Sequence, residues 1–188
     1  AQAGAVNAFI RHKESNGKRK LVLVWDCSGS MAPTHNVCGG RELLLALASL
    51  HRQRVAEIDV WLTGNGRHHQ LSLDSTSDSK LDAINPSHGC ESYAGTLAAI
   101  PLATLQSASA VVCFTDGQLT DGDVNAGEYR NKGVNLVGCA TLAAHTRKES
   151  KEYVRQALVR HFGRAITRET PGELAAALVQ YFAQLPAK

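Results

Sequence analysis

Four short, mostly apolar runs constrain this chain more than any other feature. They cover residues 21–25, 58–62, 110–114 and 134–139. Each is rich in Val, Ile, Leu or aromatic residues and bounded by turn or charge signals, the pattern of a strand. Their apolarity is continuous rather than alternating, which implies burial on both faces, as in a parallel sheet covered by helices. A fifth run, 70–73, follows Gly64-Asn65-Gly66, a hairpin signal, and predicts an antiparallel edge strand. A short last strand is expected over 165–167.

Helical patterns fill the gaps. Residues 40–53 carry Leu43, Leu44, Leu47 and Leu50 as one apolar stripe. Leu97, Ile100 and Leu105 mark a second pattern that Pro101 interrupts. Residues 147–161 place Tyr153, Val154, Ala157, Leu158 and His161 at helical intervals. The last helix opens with Thr170 as N-cap, Pro171 at its first position and Glu173 three residues on. The order β-α-β-β-α-α-β-α-β-α-β-α predicts an α/β, Rossmann-like three-layer sandwich. Its central sheet is mostly parallel with one antiparallel edge strand, and helices cover both faces. The 188 residues suit one domain over 19–188, preceded by an N-terminal helix and linker over 1–18 that reads as the tail of a larger parent.

Composition narrows the class further. With 20 Lys and Arg against 17 Asp and Glu, a net charge of +3 is too mild to call for nucleic acid. No apolar run approaches the roughly 18 residues of a membrane span. The five cysteines include no CxxC spacing, and Cys113 and Cys139 sit inside apolar runs, as buried thiols do. Together with the lack of a leader-like segment, this predicts a cytoplasmic location.

Ligands of open α/β sheets bind beyond the carboxyl ends of the strands. After the first strand comes Asp26-Cys27-Ser28-Gly29-Ser30-Met31, and after the third apolar run comes Thr115-Asp116-Gly117. A middle loop, His88-Gly89-Cys90-Glu91-Ser92, adds another hydroxyl and another carboxylate. In a turn off a strand end, Asp26, Ser28 and Ser30 can face one point, at a position read as solvent-facing. Carboxylates and hydroxyls gathered in this way suit a hard cation such as Mg²⁺. The same Asp and Ser also suit a turn that caps a helix; the second strand-end Asp-Gly favours the metal.

On these residues the chain resembles the von Willebrand factor A (vWA) domains, in their bacterial intracellular style. Asp26-Cys27-Ser28-Gly29-Ser30-Met31 matches the opening of that family's metal-ion-dependent adhesion site, and Phe114-Thr115-Asp116-Gly117 matches its later Thr-Asp-Gly. The resemblance covers roughly residues 19–185. It implies a metal site of Asp26, Ser28, Ser30 and Asp116 with a middle-loop hydroxyl, holding Mg²⁺, or Mn²⁺ or Ca²⁺. The family's middle loop usually reads Gly-Gly-Thr, which this chain lacks. Ser92 is the better counterpart of that Thr, and Thr96 is the alternative. Glu91 beside them reads either as a residue tuning the site or as a solvated loop charge.

Asp26 and Asp116 contribute about two negative charges, so a dication would be neutralised but left with an open position. That favours a receptor for an Asp or Glu of a protein partner over an enzyme, since no general base or phosphate-cradling loop is evident. By family analogy the partner would be an AAA+ ATPase of the MoxR or chelatase kind. A Ro-type RNA-protein scaffold and a metal-dependent phosphohydrolase are the other readings. A tetrahedral zinc site from His35, Cys38, His88 and Cys90 has atypical spacing. Arg67-His68-His69 reads as a solvated strand edge, and Asp121 and Asp123 as loop turns and a helix cap.

Overall fold

The computed structural model describes residues 19–31, 40–64, 67–82, 84, 89–117, 119, 124–143 and 147–186. The segment 1–18 and the side chains of His35, Cys38, His88, Asp121 and Asp123 lie outside the described residues. The strands are β1 (Arg19–Asp26), β2 (Ala56–Gly64), β3 (Arg67–Leu71), β4 (Ala110–Phe114), β5 (Leu136–Thr141) and β6 (Ala165–Arg168). The helices are α1 (Gly40–Arg52), α2 (Asp78–Asp82), α3 (Tyr93–Ala99), α4 (Leu102–Ser107), α5 (Ala126–Asn131), α6 (Lys148–Phe162) and α7 (Pro171–Gln184).

The strands form one sheet in the order β3-β2-β1-β4-β5-β6. Every pairing is parallel except that of β3 with β2, which is antiparallel at one edge. This is the α/β sandwich expected from the apolar runs. The chain moves outward from β1 to β2 and β3, then returns to the other side of β1 for β4, β5 and β6. The order therefore reverses between β1 and β4, and the crevice at such a switch point is where open sheets bind ligands.

Alternation along β1 shows why its sequence is apolar throughout. Leu21, Leu23 and Trp25 join one core with Leu43, Leu44 and Leu47 of α1 and Leu174, Leu178 and Phe182 of α7. Val22 and Val24 join the opposite core with Tyr93 and Leu97 of α3 and Val154, Leu158 and Phe162 of α6. A central strand with helices on both faces has no polar side to present.

Two strands are shifted from their expected positions, and one helix was not expected. β3 runs over Arg67–Leu71 rather than 70–73, because an edge strand pairs through its backbone from the turn onward whatever its side chains are. β5 begins at Leu136, since the Val134 amide is taken by the Tyr129 carbonyl (2.9 Å) in the turn that ends α5. The short α2 went unforeseen: its five residues carry no helical stripe, only Leu81 turned into the core.

The start of α7 is as read from the sequence. The Glu173 amide donates to Thr170 Oγ1 (3.3 Å), and the Thr170 amide donates to the Glu173 carboxylate (3.1 Å). Because α7 supplies core residues to β1 and β4, loss of this cap should reach global stability. Thr170→Ala is expected to lower the urea-unfolding free energy by about 1 kcal/mol with an unchanged m-value.

Candidate metal centre at the sheet switch point

The site begins at the last residue of β1. Asp26 Oδ1 accepts the Ser28 amide (2.8 Å), which folds the chain back on itself in a tight Asx turn. The 3₁₀ turn Gly29–Met31 follows, and the Ser28 and Ser30 hydroxyls come to 3.0 Å from one another. The Asp-x-Ser-x-Ser spacing thus brings both hydroxyls round to one side.

Thr63, near the end of β2, holds this turn to the middle loop. Its carbonyl accepts the Cys27 amide (2.7 Å), and its hydroxyl accepts the Ser92 amide (2.9 Å). The Gly29 amide then reaches the Gly89 carbonyl (3.2 Å). Gly64 permits the approach, since a Cβ there would lie 2.9 Å from the Cys27 carbonyl carbon. On the other side, the Tyr93 hydroxyl donates to the Phe114 carbonyl (2.6 Å), which ties the start of α3 to the end of β4. The next turn is closed by the Gly117 amide on Thr115 Oγ1 (3.1 Å). Gly117 has φ +87° and packs against Val154, where any side chain would collide.

These contacts gather three carboxylates out of water. Asp26 is fully buried, and Asp116 and Glu91 are 2% and 3% exposed. Asp26 Oδ2 has no hydrogen-bond partner. Burial pushes the Asp26 carboxyl up to about 7; the hydrogen bonds from Ser28 oppose the shift, and the charges of Asp116 and Glu91 add to it. Burial likewise raises the Cys27 thiol to about 12 and keeps the Tyr93 phenol protonated.

Each sequence candidate has a definite place. Asp26, Ser28 and Ser30 share the turn after β1, and Asp116 sits after the adjacent β4. Asp26 is enclosed, not solvent-facing as its strand-end position suggested. Ser92 is the N-cap of α3, with its Oγ accepting the Gly95 amide (3.3 Å). Thr96 is buried one turn into α3, and its hydroxyl donates to the Ser92 carbonyl (2.8 Å). That uses the only hydroxyl proton, so the 2.7 Å contact with His68 Nδ1 has the imidazole as donor. His68 is therefore more than part of a solvated edge: it braces the middle loop from β3.

The residue that sequence reasoning undervalued is Glu91. It is 3% exposed rather than solvated in the loop, and its charge adds to the upward shift of Asp26. Its adjacency to Ser92 was the only signal available.

The donor set fits a hard cation. An orphaned buried carboxylate oxygen, two further buried carboxylates and paired serine hydroxyls are all oxygen donors. Among the described residues, no three His, Cys, Asp or Glu side chains are placed to hold a metal by themselves. The Ser28 and Ser30 hydroxyls and water would therefore have to complete the shell.

No protein-family model matches the chain, and no curated protein matches it. Solved structures do. Proximal thread matrix protein 1 from the mussel byssus superposes with a TM-score of 0.56 at 15% identity, covering 89% of this chain and 46% of that one. The chain thus spans less than half the length of that protein. The SpRpn10 VWA domain aligns over 91% of this chain and 97% of its own, at 9% identity and a TM-score of 0.49. The likeness to the byssus protein shows a shared fold and nothing about activity. Among the described residues, no helix is long and apolar enough to cross a membrane.

The Asp26 shift has a measurable consequence. Its folded-state value is raised, so between about pH 4 and 7 the metal-free folded protein keeps a proton that the unfolded chain has lost. Stability in EDTA should therefore fall as pH rises through that window, by up to a few kcal/mol at about 1.4 kcal/mol per pKa unit. Asp26→Asn keeps the Oδ1 acceptor but cannot ionise. Urea unfolding in EDTA should show it more stable than wild type at pH 8, with the gap closing towards pH 4. A constant gap across that range would show that Asp26 is not the group responsible.

Proposed function

We propose that this chain is a vWA-type domain that holds a divalent cation, Mg²⁺ or else Mn²⁺ or Ca²⁺, at the β1–β4 switch point and uses it to bind a protein partner. The observation that carries the proposal is the fully buried Asp26 carboxylate, whose Oδ2 has no partner. An ionised carboxylate out of water and unpaired is costly, and a cation is the counterpart its neighbourhood of acids and hydroxyls would accept. Asp26, Ser28, Ser30, Ser92 and Asp116 would hold it, directly or through water, as in the adhesion sites that the Asp-x-Ser-Gly-Ser-Met and Thr-Asp-Gly motifs resemble.

The groups around the site support binding rather than catalysis. Burial keeps the Cys27 thiol and the Tyr93 phenol protonated, so neither serves as a nucleophile. A cation held this way attracts an oxygen anion from outside, and the partner we infer presents an Asp or Glu. An AAA+ ATPase of the MoxR or chelatase kind is the first partner to test.

Calorimetric titration with Mg²⁺ tests the site. Asp26→Ala is expected to abolish uptake. Ser92→Ala should weaken it, while Thr96→Ala, whose hydroxyl is engaged by His68 and the Ser92 carbonyl, should have a smaller effect. The reverse order would move the middle-loop ligand to Thr96.

Partner binding is tested by pull-down with wild type and Asp26→Ala, each in Mg²⁺ and in EDTA. Capture by wild type in Mg²⁺ alone is the expected result. A partner that also loses binding when one of its own acids becomes the amide identifies the contact. Equal capture in all four conditions would place the interface away from the cation.

A further inference from the structure

The opposite end of the sheet from Asp26 carries a cavity of its own. It measures about 590 Å³ and lies at the amino ends of β4, β5 and β6, within the size range of small-molecule sites. Val134, Leu136, Phe162 and Leu185 give it an apolar lining, Arg130 and Arg164 give it charge, and no described acid lines it. Arg164 is held by Tyr181: its Nη1 donates to the phenol oxygen (3.3 Å), and its guanidinium lies over the ring, 5.0 Å from the centroid. Asn135 Nδ2 donates to the same phenol oxygen (3.0 Å). Arg130 reaches the turn between α6 and β6, where a Cβ on Gly163 would lie 3.0 Å from its Nη2. Among the described residues, neither arginine is ion-paired. Carbonyls of the lining are already engaged: that of Ser109 by Asn135 Nδ2 (3.1 Å), that of Asn135 by the Val111 amide (2.8 Å) and that of Pro186 by the Ser109 hydroxyl (3.2 Å). What the cavity offers a ligand is therefore apolar surface and positive charge.

We propose that this cavity binds a small organic phosphate, a phosphate monoester carried on an apolar body. The planar fork of a guanidinium matches phosphate oxygens in geometry as well as charge. A phosphate monoester carries a charge of about −1.5 to −2 near neutral pH, which two arginines balance; a carboxylate would leave one of them unmatched. Both arginines are exposed, and a solvated ion pair by itself contributes little. Affinity therefore needs both halves of the ligand, the phosphate on the arginines and the body against Phe162 and its apolar neighbours. Neither half involves the cation site, so this proposal stands or falls independently of it.

The test is a ¹⁵N-amide NMR titration with 1-naphthyl phosphate at pH 7.5, in EDTA so that no metal takes part. The amides of Gly133, Gly163 and Arg164 should shift. Wild type is expected to bind 1-naphthyl phosphate about tenfold or more tightly than 1-naphthol or inorganic phosphate, and about threefold or more tightly than 1-naphthoate. Arg130→Gln and Arg164→Gln should each weaken 1-naphthyl phosphate about tenfold and leave 1-naphthol unchanged. Lys148→Gln removes the same charge at the opposite end of α6 and should stay within about twofold of wild type. If Arg164→Gln fails to fold for want of the Tyr181 contact, Arg130→Gln carries the test, since no side-chain hydrogen bond of Arg130 to a described residue is lost. Four results would overturn the proposal: no shift at these amides with millimolar 1-naphthyl phosphate, equal affinity in wild type and Arg130→Gln, 1-naphthoate bound as tightly as the phosphate, or a loss in Lys148→Gln as large as in the arginine variants, which would mean general charge attraction only.

Discussion

The structure around the switch point depends on keeping one carboxylate out of water. Asp26 ends the most central stretch of the sheet, with both neighbouring strands in register along β1. Its Oδ1 is used locally by the Ser28 amide, so the turn geometry and the burial of the acid come together. A carboxylate held in this way is either protonated or matched by a positive charge, because the desolvated anion is expensive by itself. The upward shift of Asp26 expresses the first alternative in the metal-free chain. The gathering of oxygen donors around it suits the second.

The fold supports this arrangement through contacts that are not themselves site residues. Thr63 uses its carbonyl on one loop and its hydroxyl on another. Tyr93 packs edge-on against Phe162, with ring centroids 5.4 Å apart, while its hydroxyl closes the end of β4. His68 and Thr96 brace the Ser92 carbonyl from the edge strand. Each links a loop to a rigid strand or helix, which is how a site on loops is held in a fixed geometry. The middle loop is thus tied to β2, β3 and β4 rather than draped over them.

Much of this was legible in the sequence because the relevant signals are local. The runs that became β1 and β4 are apolar on both faces, and the Thr170-Pro171-Glu173 cap is a contiguous pattern. The residues after each strand could be read directly once the strands were placed. Glu91, Thr63 and His68 were not legible in this way. Glu91 looks like any loop acid until the approach of Gly29 to Gly89 encloses it. Thr63 is one more residue in an apolar strand until its hydroxyl meets a loop 29 positions later. His68 sits in a polar edge segment, and only the antiparallel pairing of β3 brings it to α3. All three depend on which elements become neighbours, and a single sequence encodes that only indirectly.

Stability alone gives no reason for an unpaired carboxylate oxygen at position 26. An amide at position 26 would keep the Ser28 hydrogen bond without the ionisation penalty. That change would not disturb the apolar layers that hold the sheet together. A buried carboxyl whose titration is pushed well upward, lying in a crevice at a topological switch point, is of the kind that clusters at functional sites. The unpaired carboxylate oxygen sits at the end of β1. The capped α7, the doubly covered β1 and the two apolar cores supply the stability against which that local cost is set.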